Sequence, residues 1–149
     1  MPRLWLSKNW LMNMSAPEFK YSRLVQFYET DAMGIVHHAN YVLLMEEARL
    51  QFLRLLYDNQ EGDILGEVNY PLVSCHVDYK KPLNFNDEVV INYKVSTEGA
   101  RLVFDYEFST KSFPKPLAFG KTVHVAFDMK TRKAMKLPES VLEFLEKRG

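Results

Sequence analysis

The segment from Asn40 to Tyr57 constrains this chain more than any other, because a helix drawn through it is apolar on most of its sides: Val42, Leu43, Leu44, Met45, Ala48, Leu50, Phe52, Leu53, Leu55 and Leu56. At about 1.5 Å per residue it makes a rod of roughly 25 Å, and a rod of that character has to be wrapped rather than laid on a surface. The wrapping material follows it. Val73, Cys75, Val77 and Tyr79 alternate with polar residues, as do Val89, Ile91, Tyr93 and Val95, then Leu102, Phe104, Tyr106 and Phe108, and lastly Phe119, Val123, Val125 and Phe127. Period two over such lengths predicts half-buried strands, with the apolar sets inward and His76 and His124 on the polar faces, at the surface or in a subunit contact. The turns between them are short, around Pro82, at Gly99 and from Lys111 to Pro116, which favours antiparallel neighbours. A last helix is predicted to start near Pro138, with Val141, Leu142 and Leu145 as its apolar stripe. One antiparallel sheet of about five strands curled round one long helix buries both apolar surfaces, so the expected class is α+β.

Ahead of the helix, the β-branched and aromatic residues from Leu24 to Tyr28 read as a strand, and Asp31 to Gly34 as a turn. Asn40 is a candidate helix cap. This order puts one carboxylate, Asp31, just before a helix N-terminus whose unpaired N–H groups carry partial positive charge and can bind a developing oxyanion. An Asp before a turn glycine also serves simply as a turn residue that accepts from nearby N–H groups, and spacing alone does not choose between the two.

The chain of 149 residues is long enough for one domain with a real core, and nothing in it marks a second. Residues 1–19 read as an N-terminal extension and 20–149 as the domain. Arg3 and Lys8 lie in that extension, but Lys8 and Asn9 interrupt its apolar run, so it is not read as a secretory signal; nor is a spanning segment expected. Nineteen basic and nineteen acidic side chains cancel, which argues against a nucleic-acid surface or stable membrane insertion. A lone cysteine, Cys75, fits a small core residue in a reducing, cytoplasmic setting better than a nucleophile.

The motif FYETDAMGIVHHANYVLLMEEAR, with VDYKKPLNFNDEVVI downstream, resembles the hotdog-fold thioesterases of the 4-hydroxybenzoyl-CoA thioesterase family, and within it the Tol-Pal-associated branch. The likeness runs from about Tyr21 to Leu137. It implies a hotdog fold, hydrolysis of an acyl-CoA thioester to free acid and CoA, no cofactor beyond the CoA of the substrate, and a homodimer or homotetramer. Asp31 matches the family's catalytic aspartate, His38 the histidine of the His-Ala-Asn-Tyr segment, and Gly34 the turn glycine. The N–H at His38 is where the resemblance puts carbonyl polarisation. Val36, His37, Asn40 and Tyr41 fall inside the motif and are expected around the substrate. The chain departs from the branch at His37, where another aromatic is common, at Tyr28, where an acid is common, and at Phe27, which replaces a tyrosine.

A thiolate leaves readily, so one carboxylate and one helix terminus suffice for a thioester: Asp31 acts as general base on water or as nucleophile. Glu46 is either a second pocket carboxylate or the partner of Arg49. Adjacent His37 and His38 do not have the spacing of a metal pair, and no metal is expected. Lys80, Lys81, Arg101, Lys111, Lys115 and Lys121 are candidates for contacts to CoA phosphates. An acyl-carrier-protein thioesterase, a hotdog dehydratase or hydratase and a non-catalytic acyl-ligand binder are the competing readings. A dehydratase of this fold would pair a His with an acid on the helix, whereas the acid here precedes the glycine turn.

Overall fold

A computed structural model describes residues 15–58 and 66–149. The expectation for residues 1–14, and most of the connection expected after Asp58, lie outside the described residues. Five long strands form the body of one antiparallel sheet: β1 (Glu18–Leu24), β3 (Leu72–Tyr79), β4 (Glu88–Glu98), β5 (Arg101–Thr110) and β6 (Ala118–Asp128). They lie in the order β1-β4-β5-β6-β3, with short strands β2 (Val68–Asn69) and β7 (Lys133–Met135) also paired to β6, seven strands among the described residues. The α-helices among the described residues are α1 (Asn40–Leu56) and α2 (Glu139–Arg148). This is the expected α+β wrap. Leu44, Met45, Ala48 and Phe52 of α1 are buried against Ile91, Tyr93, Phe104, Tyr106 and Phe108 of the sheet. β1 begins two residues before the expected domain start, and its Phe19 is a core residue, stacked on Tyr93 at 5.3 Å.

Three expectations are corrected. The strand expected at Leu24–Tyr28 ends at Leu24, and Phe27–Glu29 form a single 3-10 turn instead. There the Gln26 N–H donates to Glu29 Oε1 at 2.8 Å, and the Glu29 N–H to the Gln26 carbonyl at 3.0 Å, so local bonding overrides β propensity. Strand β6 is turned over relative to its apolar pattern. Tyr106 pairs with Gly120, Phe104 with Thr122 and Leu102 with His124, so Gly120, Thr122 and His124 share the helix-facing side with those core residues, while Phe119 and Val123 face away. The helix crosses where the strand is smallest: a Cβ on Gly120 would meet the Met45 sulfur, and the glycine leaves that side chain its place.

His124 is therefore buried, 1% exposed, and not at the surface. Its Nδ1 is 3.0 Å from the Tyr70 carbonyl, which can only accept, so Nδ1 carries the proton and Nε2 accepts from Thr122 Oγ1 at 3.0 Å. Thr122 in turn accepts from Tyr106 Oη at 2.8 Å, completing a chain that a neutral imidazole satisfies. Burial first, and the charge of Arg49 second, push the His124 pKa down from 6.5 to about 4. Between those values the unfolded chain binds a proton that the native state refuses, so stability falls as pH falls, by up to about 1.4 kcal/mol per pH unit. Urea unfolding at pH 7, 6 and 5 is expected to show this loss in the wild type and a shallower one in His124→Gln; equal slopes would remove His124 as its source.

Candidate active site

The turn at Asp31 is built by its own backbone. Gly34, at φ +77°, donates its N–H to the Asp31 carbonyl at 3.0 Å, and the Asp31 N–H reaches the Ile35 carbonyl at 2.9 Å. Only a residue without a Cβ adopts that φ without strain, which accounts for Gly34. One carboxylate oxygen, Asp31 Oδ1, accepts the Met33 N–H at 2.8 Å, so the turn role is real, but it occupies one oxygen only. The chain then returns beside Leu83, whose carbonyl takes the Val36 N–H at 2.8 Å, and enters α1.

At the helix entrance, the Ala39 N–H is taken by His37 Nδ1 at 3.2 Å, and the Asn40 and Tyr41 N–H groups by the His37 and His38 carbonyls. The His38 N–H has no acceptor among the described residues. Tyr79 Oη on β3 donates to the His38 carbonyl at 2.9 Å, so residue 38 is held from the neighbouring strand through the peptide that follows its N–H, and Tyr41 Oη accepts the Leu83 N–H at 3.2 Å. Asp31 and His38 line one cavity of about 330 Å³ with Ile35, Val36, Tyr41, Tyr79, Lys80, Lys81 and Pro82. It is lined by a carboxylate, by the residue just ahead of the helix cap, by an apolar wall and by two lysines.

Of the residues expected around the substrate, Val36 and Tyr41 line this cavity; Gly34, His37, Asn40 and Glu46 do not. Gly34 shapes the turn, and His37 spends Nδ1 on the helix start. Asn40 is not the cap: Ala39 occupies that position, and Asn40 Nδ2 donates to the Glu29 carbonyl at 2.7 Å. Glu46 is exposed and lies 3.6 Å from Arg49, the pairing reading rather than the pocket one. Tyr79 and Pro82 were not legible as site residues, since only the fold brings residue 79 to residue 38. A larger cavity, about 440 Å³, lies along the far half of α1 between Arg49, Leu50, Leu53, Tyr70, Phe127 and Met129, and among the described residues no carboxylate lines it.

Beneath the site, Arg23 holds Glu29 through two 2.7 Å contacts and keeps its carboxyl below the usual carboxylate range. The stability this pairing adds is present above the unfolded carboxylate range and is lost as pH falls through the lowered native value. Cys75, half-buried on β3, has its thiol pushed up by burial, which disfavours the thiolate and any nucleophilic role.

An antiparallel sheet wrapped on one long helix is the hotdog architecture, which the solved thioesterases below share. The chain belongs to the thioesterase-like superfamily, whose family model matches residues 25–145, and it is by that membership a thioester hydrolase. It is 38% identical over 131 residues, 86% of this chain and 98% of the other, to a protein of Aquifex aeolicus (strain VF5) provisionally named an esterase. Its fold matches the crystal structure of Slr0204, a 1,4-dihydroxy-2-naphthoyl-CoA thioesterase from Synechocystis, with a TM-score of 0.76 and 27% identity over 86% of this chain and 95% of that one. The gentisyl-coenzyme A thioesterase BH1999 matches with a TM-score of 0.74 and 27% identity, covering 84% and 98% respectively.

Proposed function

We propose that this chain hydrolyses an acyl-CoA thioester to the free acid and CoA, with Asp31 as general base on water and the His38 N–H polarising the thioester carbonyl. The observation that carries the reading is the shared cavity: among the described residues Asp31 is the one carboxylate that lines it, and His38, which lines it too, has an N–H with no acceptor. A carbonyl oxygen bound at that N–H gains charge as water adds, and the fixed donor is worth more to the oxyanion than to the ground-state carbonyl. Asp31 takes the proton of the attacking water; the tetrahedral adduct then collapses and releases thiolate. No cofactor enters these steps. Lys80 and Lys81 at the cavity rim supply charge for phosphates of the CoA moiety. The names of the two solved relatives point to an aromatic acyl group, and the apolar wall of Ile35, Val36 and Tyr41 is suited to one. The likeness to the Tol-Pal-associated branch and a cytoplasmic setting belong to this reading.

The test is release of free thiol from a panel of aromatic and aliphatic acyl-CoA thioesters and their acyl-carrier-protein counterparts. Turnover on CoA thioesters with little on the carrier-bound set is expected; the reverse would move the substrate to the carrier, and no turnover on any would remove the reading.

The same proposal includes a homodimer through β3. That strand pairs only with β6, so its other edge is unpaired by strands among the described residues, and Leu72, Val73 and Tyr79 on it are 50%, 49% and 42% exposed. A two-fold axis at the middle of β3 would set Leu72 of one copy opposite Tyr79 of the other, and so the larger apolar cavity of one beside the Asp31 cavity of its partner. Light scattering at micromolar concentration is expected to give twice or four times the 17.5 kDa chain mass. A monomer mass would sink the shared site.

A further inference from the structure

The most densely bonded charged cluster among the described residues touches no part of the Asp31 cavity. Arg23 reaches Glu29 Oε1 and Oε2 at 2.7 Å each, and Glu47 Oε2 and Oε1 at 2.6 and 3.0 Å, while Tyr21 Oη donates to Glu47 Oε2 at 2.9 Å. One guanidinium thereby ties together β1, the turn Phe27–Glu29 and α1. The Glu29 side chain is only 5% exposed. Ion pairs so enclosed add little net stability over apolar packing, because desolvation offsets the attraction, and what they impose is geometry.

The geometry imposed is that of the Glu29 backbone. Its carbonyl accepts both the His37 N–H, at 2.9 Å, and Asn40 Nδ2, at 2.7 Å. The loop bearing the reactive groups thus leaves Glu29 and comes back to it: Asp31 lies two residues beyond the outgoing side, and His38 follows directly on the returning one. The Thr30–Val36 bridge closes the loop further along. With Glu29 shifted, both sides of the loop lose their common anchor.

Resting on the function proposed above, we propose that Arg23, Glu29 and Asn40 form a clasp that fixes the separation of the Asp31 carboxylate from the His38 N–H. They are positioning residues for thioester hydrolysis. Asn40, expected from sequence to meet substrate, works in this clasp instead. A misplacement of about 1 Å between reacting groups is enough to cost about 10²-fold in rate, so a clasp remote from the substrate is felt in turnover.

The test uses full-length Arg23→Lys, Glu29→Gln and Asn40→Ala on the thioester the wild type turns over fastest, with Asp31→Asn and the exposed-pair variant Lys130→Ala alongside. Lysine cannot reproduce the fork to two carboxylates. In each clasp variant kcat is expected to fall about 10- to 100-fold with KM within about twofold, and Arg23→Lys with Asn40→Ala to lose no more than the larger single loss, as members of one unit do. Lys130→Ala, which breaks the exposed 2.7 Å contact to Glu67, is expected to keep wild-type kcat. If Arg23→Lys or Glu29→Gln does not fold, Asn40→Ala, which leaves the ion pairs intact, decides by the same kcat criterion. Unchanged kcat in the folded clasp variants, a rise in KM alone, or fully additive losses would each overturn the clasp. Where these occur while Asp31→Asn is inactive, the clasp fails and the thioesterase reading stands; full activity in Asp31→Asn overturns both.

Discussion

Asp31→Asn is expected to lower turnover about 10²- to 10⁴-fold, or about 2.7 to 5.4 kcal/mol of barrier, in a protein that is still folded. The amide keeps the shape of the carboxylate but cannot take a proton from water or attack a carbonyl. Folding should survive because the structural duty of the residue is narrow: the Met33 N–H needs an acceptor at Oδ1, and an asparagine oxygen provides it. His38→Ala should cost less, since the group that polarises the carbonyl is the backbone N–H, which every residue but proline retains. Glu46→Gln should be close to neutral, because that carboxylate is exposed and paired with Arg49 outside the cavity. Steady-state thiol release on one substrate, with circular dichroism for folding, ranks the three. Were Asp31→Asn to keep more than about a tenth of the wild-type rate, the base would have to be sought elsewhere.

The helix and most of the sheet were legible because they follow from periodicity, which burial enforces residue by residue. α1 ends within a residue of its expected limit, and the inward sets of β4 and β5 are those the alternation gave. β6 was misread because its large apolar side chains face away from α1 while its helix-facing set, Ala118, Gly120, Thr122, His124 and Ala126, is small or polar, and Gly120 sits against Met45, a contact between residues 75 apart in sequence. His124 follows from the same inversion. Asp31 and His38 were found together because both lie on one local segment ahead of a helix. Tyr79 and the clasp were not, because nothing in a linear pattern says that Arg23 will fork between Glu29 and Glu47, or that a tyrosine forty residues on will hold the His38 carbonyl. Long-range polar contacts have no period, so they leave no mark in the sequence of the kind that burial leaves.

Phe52→Ala should act on stability as strongly as Asp31→Asn acts on rate, and on little else. Phe52 is fully buried in α1, with ring centroids 5.4 Å from Phe19, 5.2 Å from Phe104 and 5.6 Å from Phe144, all near-perpendicular, so one ring joins β1, β5 and α2 to the central helix. Edge-to-face contacts of this kind add to the burial itself, and the stiff surroundings leave a void rather than collapsing. The expected loss is about 3–5 kcal/mol, most of a typical domain's margin, with Phe52→Leu losing less because it leaves a smaller void. Urea unfolding of both variants measures it. The ring sits more than three helical turns from the entrance at which His38 presents its N–H, and it lines neither described cavity. Turnover per folded molecule, measured at low temperature, is therefore expected to remain near that of the wild type. A Phe52→Ala protein that keeps its stability would mean the core does not close around this ring; one that stays folded but loses kcat would mean that packing at the far end of α1 sets the geometry at its entrance.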